Sequence, residues 1–482
     1  SELIDQAIVY GDNKPYLVSM LVLSEEKKNI NEERIKFVTN LSDGIKNSEA
    51  IFIAVGTPSR IKDGHADLSF VFKAAEEIAN CLNGYTVIVN KSTVPVGTGK
   101  KVFDIIKKKN KNLWEVFGNG LGSLRNPDKT LNLGNSGTGV RLLMGLVSGC
   151  DITASFTGDE SLNKRPMKRV ILPLEQMGVE IDCSKGTLPI FTTNSDICDN
   201  FKYKMPIASA QVKSCLLLAA LASKNNINIV EPKITRDHTE RMIEFFEGNI
   251  KYGNKNNIGE IELKFSNLIP KNYYMVPGDF SSASFIIIAT IISEDSEVLI
   301  KNVGLNKTRS GLLEVLSLMG AKIEIKNIKI QSNEKIGDIY VVSSNLQGID
   351  VPEDIIPNII DEIPILSIAA AFSEGTTKIK NAKELKVKES DRLNAISEGL
   401  NKLKITNEIF DDGISITGSE NQVDPEERIN SFDDHRIAMS FLISGIKSKN
   451  GVCVDNCNNI ETSFPNFKDT MNSLGMNINE KN

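Results

Sequence analysis

The sequence predicts an α/β (α+β) protein of repeated strand–helix units preceded by a partial Rossmann-like fragment, and three observations carry that prediction. From Ser136 onward, a small polar or acidic turn leading straight into an apolar helix occurs five times: SGTGVRLLMGLVSG, SAQVKSCLLLAALAS, SSASFIIIATIIS, DEIPILSIAAAFSEG and DHRIAMSFLISGI. The starts at Ser136, Ser209, Ser281, Asp361 and Asp434 are 73, 72, 80 and 73 residues apart, which marks an internal repeat. Between the helices lie β-rich segments such as KIEIKNIKI (322–330) and DIYVVSS (338–344). Each repeat therefore reads as strands and helices around one helix that is apolar on all sides and hence buried.

Stepping back one period from Ser136 places a further unit near residue 63, but the sequence there differs in kind. IFIAVGTPSR (51–60) is an apolar strand ending in a Gly-Thr-Pro turn, Leu68 to Cys81 reads as a helix, and YTVIVNKSTVPVGTGKKV (85–102) is a second strand followed by a phosphate-friendly turn. This order suggests a doubly wound α/β fragment. Charged and Asn-rich breaks fall at Glu25 to Arg34 and at Lys107 to Asn112.

The length allows roughly three domains of ~150 residues. A net charge of −6 and a pI near 5.5 argue against a nucleic-acid partner, so any phosphate chemistry should be local. No basic-then-apolar leader opens the sequence and no apolar run reaches the ~18 residues that cross a bilayer, so a cytoplasmic protein without membrane contact is expected. Seven cysteines with no CxxC pair and three histidines give no expectation of a metal, and Cys453 and Cys457 read as free thiols.

The helix starts carry the chemistry. A helix N-terminus offers unpaired N–H groups and partial positive charge, so several aimed at one cleft form an anion receptor. NSGTGVR (135–141) places Gly137 and small neighbours there, although a tight turn into a buried helix reads the same residues without a ligand. SAQVKS (209–214) offers Ser209 and Gln211, RPM (165–167) offers Arg165, and TRDHTERM (235–242) offers Arg236 and His238, the last equally readable as a cap or a surface histidine. KVKESDR (386–392) concentrates Lys388, Glu389 and Arg392; on a helix the two cations share a face beside the acid, either as proton-transfer machinery or as a salt-bridged surface. Asp361 in DEIP and His435-Arg436 in DDHR open apolar helices. Capping explains the aspartate, but an arginine at a positive helix end is unfavourable unless an anion binds there.

In their order, LNLGNSGTGVRLLMGL, GDESLNKRPM, MPIASAQVKSCLLLAAL, TRDHTERM, VPGDFSSASF, IIDEIPILSIAAAF, ELKVKESDRL, DDHRIAMSF and TSFPNF resemble the motif series of 5-enolpyruvylshikimate-3-phosphate synthases, in the bacterial branch often called class II. The resemblance covers residues from about 112 to 482. It implies a two-lobed enolpyruvyl transferase fold of six βαβαββ units, of which five are present, with an incomplete N-terminal lobe over 112–240 and a C-terminal lobe over 241–482. It implies transfer of the enolpyruvyl group of phosphoenolpyruvate to the 5-hydroxyl of shikimate 3-phosphate through a tetrahedral ketal, by a monomer with no cofactor. By motif match, Asp361 removes the hydroxyl proton, and Glu389, beside Lys388, handles the methylene proton. Gly137, Arg165, Gln211, Arg392 and Arg436 hold phosphoenolpyruvate; Ser209, Gln211, Arg236, Asp361 and Lys388 hold shikimate 3-phosphate. Gly137 stands where the family associates alanine with tolerance to glyphosate.

The PGDKSISHR-like segment with which this family opens does not occur here. In its place, residues 31–111, through IFIAVGTPSR, DGHADLSFVFKAA and VNKSTVPVGTG, resemble the inner part of the nucleotide-binding domain of UDP-glucose 6-dehydrogenases, without the first strand and GxGxxG turn. Residues 3–25, within a segment 1–30, resemble the C-terminus of AMP-forming acyl-CoA synthetases. A chain joined from such pieces admits two competing readings: a catalytically inactive fusion, and an NAD-binding module, which the missing GxGxxG opposes.

Overall fold

The computed structural model describes residues 120–481 apart from 151, 194–195, 256–257, 272 and 420–422, and, of the first 119 residues, 4–10, 17–23, 35–38, 41–45, 50–54, 67–82, 87–90, 94, 98–109, 116 and 118. The chain divides into two compact units, Ser1–Asn119 and Gly120–Asn482.

In the first unit, strands rich in Val, Ile and Leu form one five-stranded sheet in the order Ile35–Val38, Ile4–Tyr10, Leu17–Leu23, Ala50–Ala54, Val87–Asn90. The two outer pairs are parallel and the two inner junctions antiparallel. Helix Ser69–Cys81 buries Val71, Ala74, Ala75 and Ile78, spaced three and four apart, in one core with Ile51, Ile53, Val102 and Ile106. The expected strand, helix and strand are thus in place. The sheet nevertheless departs from a doubly wound parallel one, because the antiparallel pair Ile4–Tyr10 and Leu17–Leu23 occupies its middle. The same pair removes the boundary expected at residue 30, since one sheet takes strands from both sides of it. The break at 25–34, the Gly-Thr-Pro turn and all of the phosphate-friendly turn at 91–97 except Val94 lie outside the described residues. Of the break at 107–112, residues 107–109 end the helix Thr98–Lys109 and the rest also lie outside.

The second unit contains the repeat. Strand Leu131–Asn132, helix Gly137–Ser148, strand Ala154–Thr157, helix Lys168–Gln176 and strands Ile181–Asp182 and Ile190–Thr192 make one βαβαββ unit. The order recurs from Phe201–Lys204 to Ile258–Lys264. It recurs twice more with the opening strand reduced to parallel bridges, Gly278 with Val303, then Gln347 with Glu374 and Asp350 with Lys378. A fifth unit, from Ile429–Asn430 through helix His435–Ser444 and strand Val454–Asp455 to helix Phe467–Ser473, shows βαβα among the described residues.

All five expected helices form, as Gly137–Ser148, Ala210–Ser223, Phe280–Ile292, Ile363–Ala371 and His435–Ser444. Their starts were read within a few residues because polar side chains cap them: Ser136, Ser209, Asp279 and Asp434 each accept a hydrogen bond from a first-turn N–H. Two separate cores result. The first takes the first two helices together with Ile243, Ile250, Ile261 and Leu263, and the second takes the other three. The lobe boundary therefore lies between Leu263 and Phe280 instead of at 240, because a unit is not closed until its final hairpin packs on its own core.

The three helices of the second lobe contact one another, whereas those of the first pack as a close pair. At Gly145 an added Cβ would lie 2.1 Å from the Cys215 carbonyl oxygen of the facing helix. Ala is intrinsically a better helix former than Gly by ~1 kcal/mol, but this clash is with backbone, which cannot rotate away. Gly145→Ala is expected to destabilise the protein by about 2 kcal/mol, read as a lower urea midpoint; a raised midpoint would show that the helices are not held this closely.

Candidate active site

The two lobes of the second unit enclose a cavity of about 870 Å3. The first lobe lines it with Asn135, Gly137, Thr138, Arg141, Arg165, Gln211, Arg236 and His238, and the second with Asp279, Arg309, Asp361, Lys388, Glu389, His435 and Arg436. All five repeat helices bring their N-terminal ends to this wall, which gathers Gly137, Gln211, Asp279, Asp361 and Arg436 although 299 residues of chain separate the first from the last.

Asp361 is the electrostatic centre. Its Oδ2 accepts from Arg236 Nη2 at 2.5 Å and Arg309 Nη1 at 3.2 Å, while its Oδ1 lies 3.4 Å from Lys388 Nζ and 3.6 Å from Arg392 Nη1. Burial alone pushes the Asp361 carboxyl up, but Lys388, Arg436, Arg236 and Arg392 outweigh it and hold the group well below the usual carboxylate range. Arg436 donates to the Asp361 carbonyl oxygen at 2.8 Å and to Glu362 Oε1 at 3.3 Å, which meets the positive helix start with carboxylates while no anion is bound.

Glu389 lies between two guanidinium groups, with Oε2 2.5 Å from Arg392 Nη2 and Oε1 3.4 Å from Arg165 Nη1. Burial raises its pKa, Arg392 and Arg165 lower it more, and the net effect is downward. Arg165 also donates to Asn135 Oδ1 at 2.5 Å, and Arg141 donates to Gln211 Oε1 at 2.6 Å, which leaves the Gln211 amide to reach Thr138 Oγ1 at 2.8 Å.

Eight of the ten residues named from sequence line the cavity: Asp361, Glu389, Lys388, Gly137, Arg165, Gln211, Arg236 and Arg436. Ser209 does not; its hydroxyl turns inward and caps its own helix through Val212 N. Arg392 sits behind the wall, 1% exposed, donating through Nε to Asp434 at 2.8 Å and through Nη2 to Glu389. Lys388 to Arg392 do not share a helix face. Lys383–Val387 is 3-10 helical, Asp391 accepts from Asn394 N as the N-cap of Arg392–Lys402, and the residues between form the turn that directs Lys388 at Asp361. The surface-helix reading of KVKESDR fails for the same reason, since Arg392 is buried. His238 bonds through Nδ1 to Glu334 Oε1 at 2.6 Å, joining the lobes. Arg309 went unread in the sequence. NKTRSG (306–311) puts an arginine just before helix Gly311–Leu318, the signal that singled out Arg436.

Two families match this chain, and both matches cross the boundary between its two compact units. The profile of the family described as EPSP synthase (3-phosphoshikimate 1-carboxyvinyltransferase) covers residues 101–471. The 3-phosphoshikimate 1-carboxyvinyltransferase of Legionella pneumophila is 43% identical over 365 residues, spanning 76% of this chain and 83% of its relative. The chain belongs to the EPSP synthase family. The Coxiella burnetii member is 42% identical over 367 residues, covering 76% of this chain and 82% of its own. The solved EPSP synthase of Acinetobacter baumannii superposes with a TM-score of 0.64 at 40% identity, over 73% of this chain and 80% of that one. The enolpyruvyl transferase NikO from Streptomyces tendae, at 11% identity and a TM-score of 0.55 over 75% of this chain and 97% of its own, shares the fold. Residues 22–130 match the NAD binding domain of the UDP-glucose/GDP-mannose dehydrogenase family, so two families overlap at 101–130. Nothing in these matches supports the acyl-CoA synthetase likeness of residues 3–25. Among the described residues no helix is long and apolar enough to cross a membrane, and no group of three or more His, Cys, Asp or Glu is placed to hold a metal ion.

The site carries a pH signature of its own. Burial, then Arg436, pushes the His435 imidazole down to about 4 from its ordinary 6.5. The unfolded chain therefore binds the proton first, and stability present above pH 6.5 is lost as pH falls toward 4, by up to about 3 kcal/mol. Replacing His435 by Asn should flatten that part of the urea-midpoint profile against pH; an unchanged slope would reject the assignment.

Proposed function

We propose that this EPSP synthase family member transfers the enolpyruvyl group of phosphoenolpyruvate to the 5-hydroxyl of shikimate 3-phosphate, releasing phosphate. One observation carries the reading: the carboxylates Asp361 and Glu389 stand in an interlobe cavity whose wall carries six arginines, Arg141, Arg165, Arg169, Arg236, Arg309 and Arg436, together with Lys388, against two further carboxylates, Asp279 and Glu384. Such a receptor fits two polyanions, and the carboxylates fit the two proton transfers between them. The names of the relatives support the same substrates.

Asp361 takes the hydroxyl proton as the 5-oxygen bonds to the central carbon of phosphoenolpyruvate, while Glu389 protonates its methylene. The resulting ketal loses phosphate as Glu389 recovers a methyl proton, and the hydroxyl proton leaves with the phosphate. The surrounding cations hold both carboxyls below the usual carboxylate range. Substrate anions that draw Arg165 from Glu389 and Arg236 and Lys388 from Asp361 remove part of the positive charge and raise both pKa values toward a useful range. Gln211, fixed by Arg141, and Arg436 would orient phosphoenolpyruvate; Arg236 would take the shikimate phosphate. Arg392 would act on phosphoenolpyruvate from behind Glu389, and Ser209 on the shikimate side by opening its helix. The proposal takes the protein to act as a cytoplasmic monomer.

The test is phosphate release from shikimate 3-phosphate and phosphoenolpyruvate by purified chain. Glu389→Ala should cut it by about 100-fold or more. No release from folded wild-type protein would overturn the reading.

Glyphosate should raise the apparent KM for phosphoenolpyruvate at constant kcat. At Gly137 a Cβ would lie 2.9 Å from Arg165 Nη1 and 3.2 Å from Arg141 Nη1, so Gly137→Ala shifts those guanidiniums and should weaken inhibition. Equal inhibition of both proteins would reject that placement.

A further inference from the structure

We propose that Arg309 is a positioning residue for Asp361, the cation that stays on this carboxylate while substrate anions draw its neighbours away. The inference rests on the proposed reaction, because it concerns the loaded site.

Four cations surround Asp361, and three of them have other partners or freedom to leave. Arg236 is 33% exposed along its side chain. Lys388 divides itself between Asp361 and Glu384, each at 3.4 Å. Arg392 is committed to Glu389 and Asp434. Arg309 also has Asp279 Oδ1 and Glu362 Oε1 each 3.9 Å from Nη2, but its hydrogen bonds tie it to two fixed acceptors: Nη1 donates to Asp361 Oδ2 at 3.2 Å while Nη2 donates to Ser281 Oγ at 2.5 Å. Ser281 can receive it because its own proton goes to Glu362 Oε1. A guanidinium is a planar fork, so two fixed acceptors set its orientation as well as its position.

The loop that carries Arg309 is fixed as well. The Asn306 carbonyl oxygen accepts from the N–H groups of Arg309 and Ser310, both at 2.9 Å, and its side-chain oxygen accepts from Thr308. The Asn306 amide donates to Asp237 Oδ1 of the first lobe at 2.6 Å. Asp237 follows Arg236 in sequence, so one short segment of the first lobe bonds both to Asp361 and to the loop that orients it. When Arg236 leaves for a phosphate, the Asp237–Asn306 bond and Arg309 can still hold the carboxylate toward the substrate hydroxyl. A base misplaced by about 1 Å loses on the order of 100-fold in rate.

The experiment uses the whole 482-residue chain. Arg309→Gln should lower kcat for phosphate release by about 10- to 100-fold while the Kd of shikimate 3-phosphate, read by calorimetry, changes by less than about threefold. Arg309→Lys, which keeps the charge and loses the fork, should recover little of the loss, and full recovery by lysine would overturn the orienting role. Unchanged kcat in Arg309→Gln overturns the proposal, as does lost affinity with kcat retained, which would make Arg309 a substrate-binding residue. If the wild-type chain releases no phosphate, the proposed reaction fails and crystals of the free proteins decide the role of Arg309. The Asp361 carboxylate should turn from its wild-type orientation in Arg309→Gln, and an unmoved carboxylate overturns the assignment.

Discussion

The site depends on one constraint: an interlobe cavity lined with cations has to be tolerable when no anion fills it. Asp361 meets that constraint. Its two oxygens engage Arg236, Arg309 and Lys388, with Arg392 close behind, so charges that would otherwise repel one another share a single carboxylate. Glu389 does the same for Arg165 and Arg392, and Glu362 for Arg436. The carboxylates are therefore counter-ions of the free site before they are acids and bases of the loaded one. Their low pKa values follow from the first role and have to change for the second.

The repeat supplies the frame for this arrangement. Each unit buries a helix that is apolar on nearly every side, so the helix cannot shift without exposing core. Its only polar end then becomes a fixed point on the cavity wall. Capping by Ser136, Asp279 and Asp434 satisfies some first-turn N–H groups locally. The start at Asp361 is unlike these, for Glu362 makes no cap bond and instead accepts from Ser281 and Arg436. That exception lies where the chemistry is placed, and Glu362 Oε2 remains buried without a hydrogen-bond partner among the described residues.

Much of this was legible in the sequence, for physical reasons that also explain the failures. Helix starts were readable because small polar residues before apolar runs have a local cause, and Arg436 was readable because its charge opposes the helix end it occupies. The 388–392 turn was misread as helix because Lys, Glu and Arg are good helix formers; only the cap at Asp391 and the pull of Asp361 on Lys388 break the run. Spacing leaves the role of Ser209 open, because a hydroxyl at a helix start serves a cap and a phosphate equally well. The place of the Ile4–Tyr10 and Leu17–Leu23 strands in the middle of a sheet was beyond periodicity, which gives strands but not their neighbours.

Lobe contact and chemistry draw on the same bonds. Arg236 joins the first lobe to Asp361, Asp237 joins it to Asn306, and His238 joins it to Glu334, three consecutive side chains with three acceptors or donors in the second lobe. An anion that takes Arg236 removes one of these ties and leaves the other two, so a substrate phosphate exchanges a lobe contact for a contact with itself. A phosphate seated on Arg236 would bridge the lobes in place of Asp361, freeing that carboxylate for the hydroxyl proton at the moment its partner arrives.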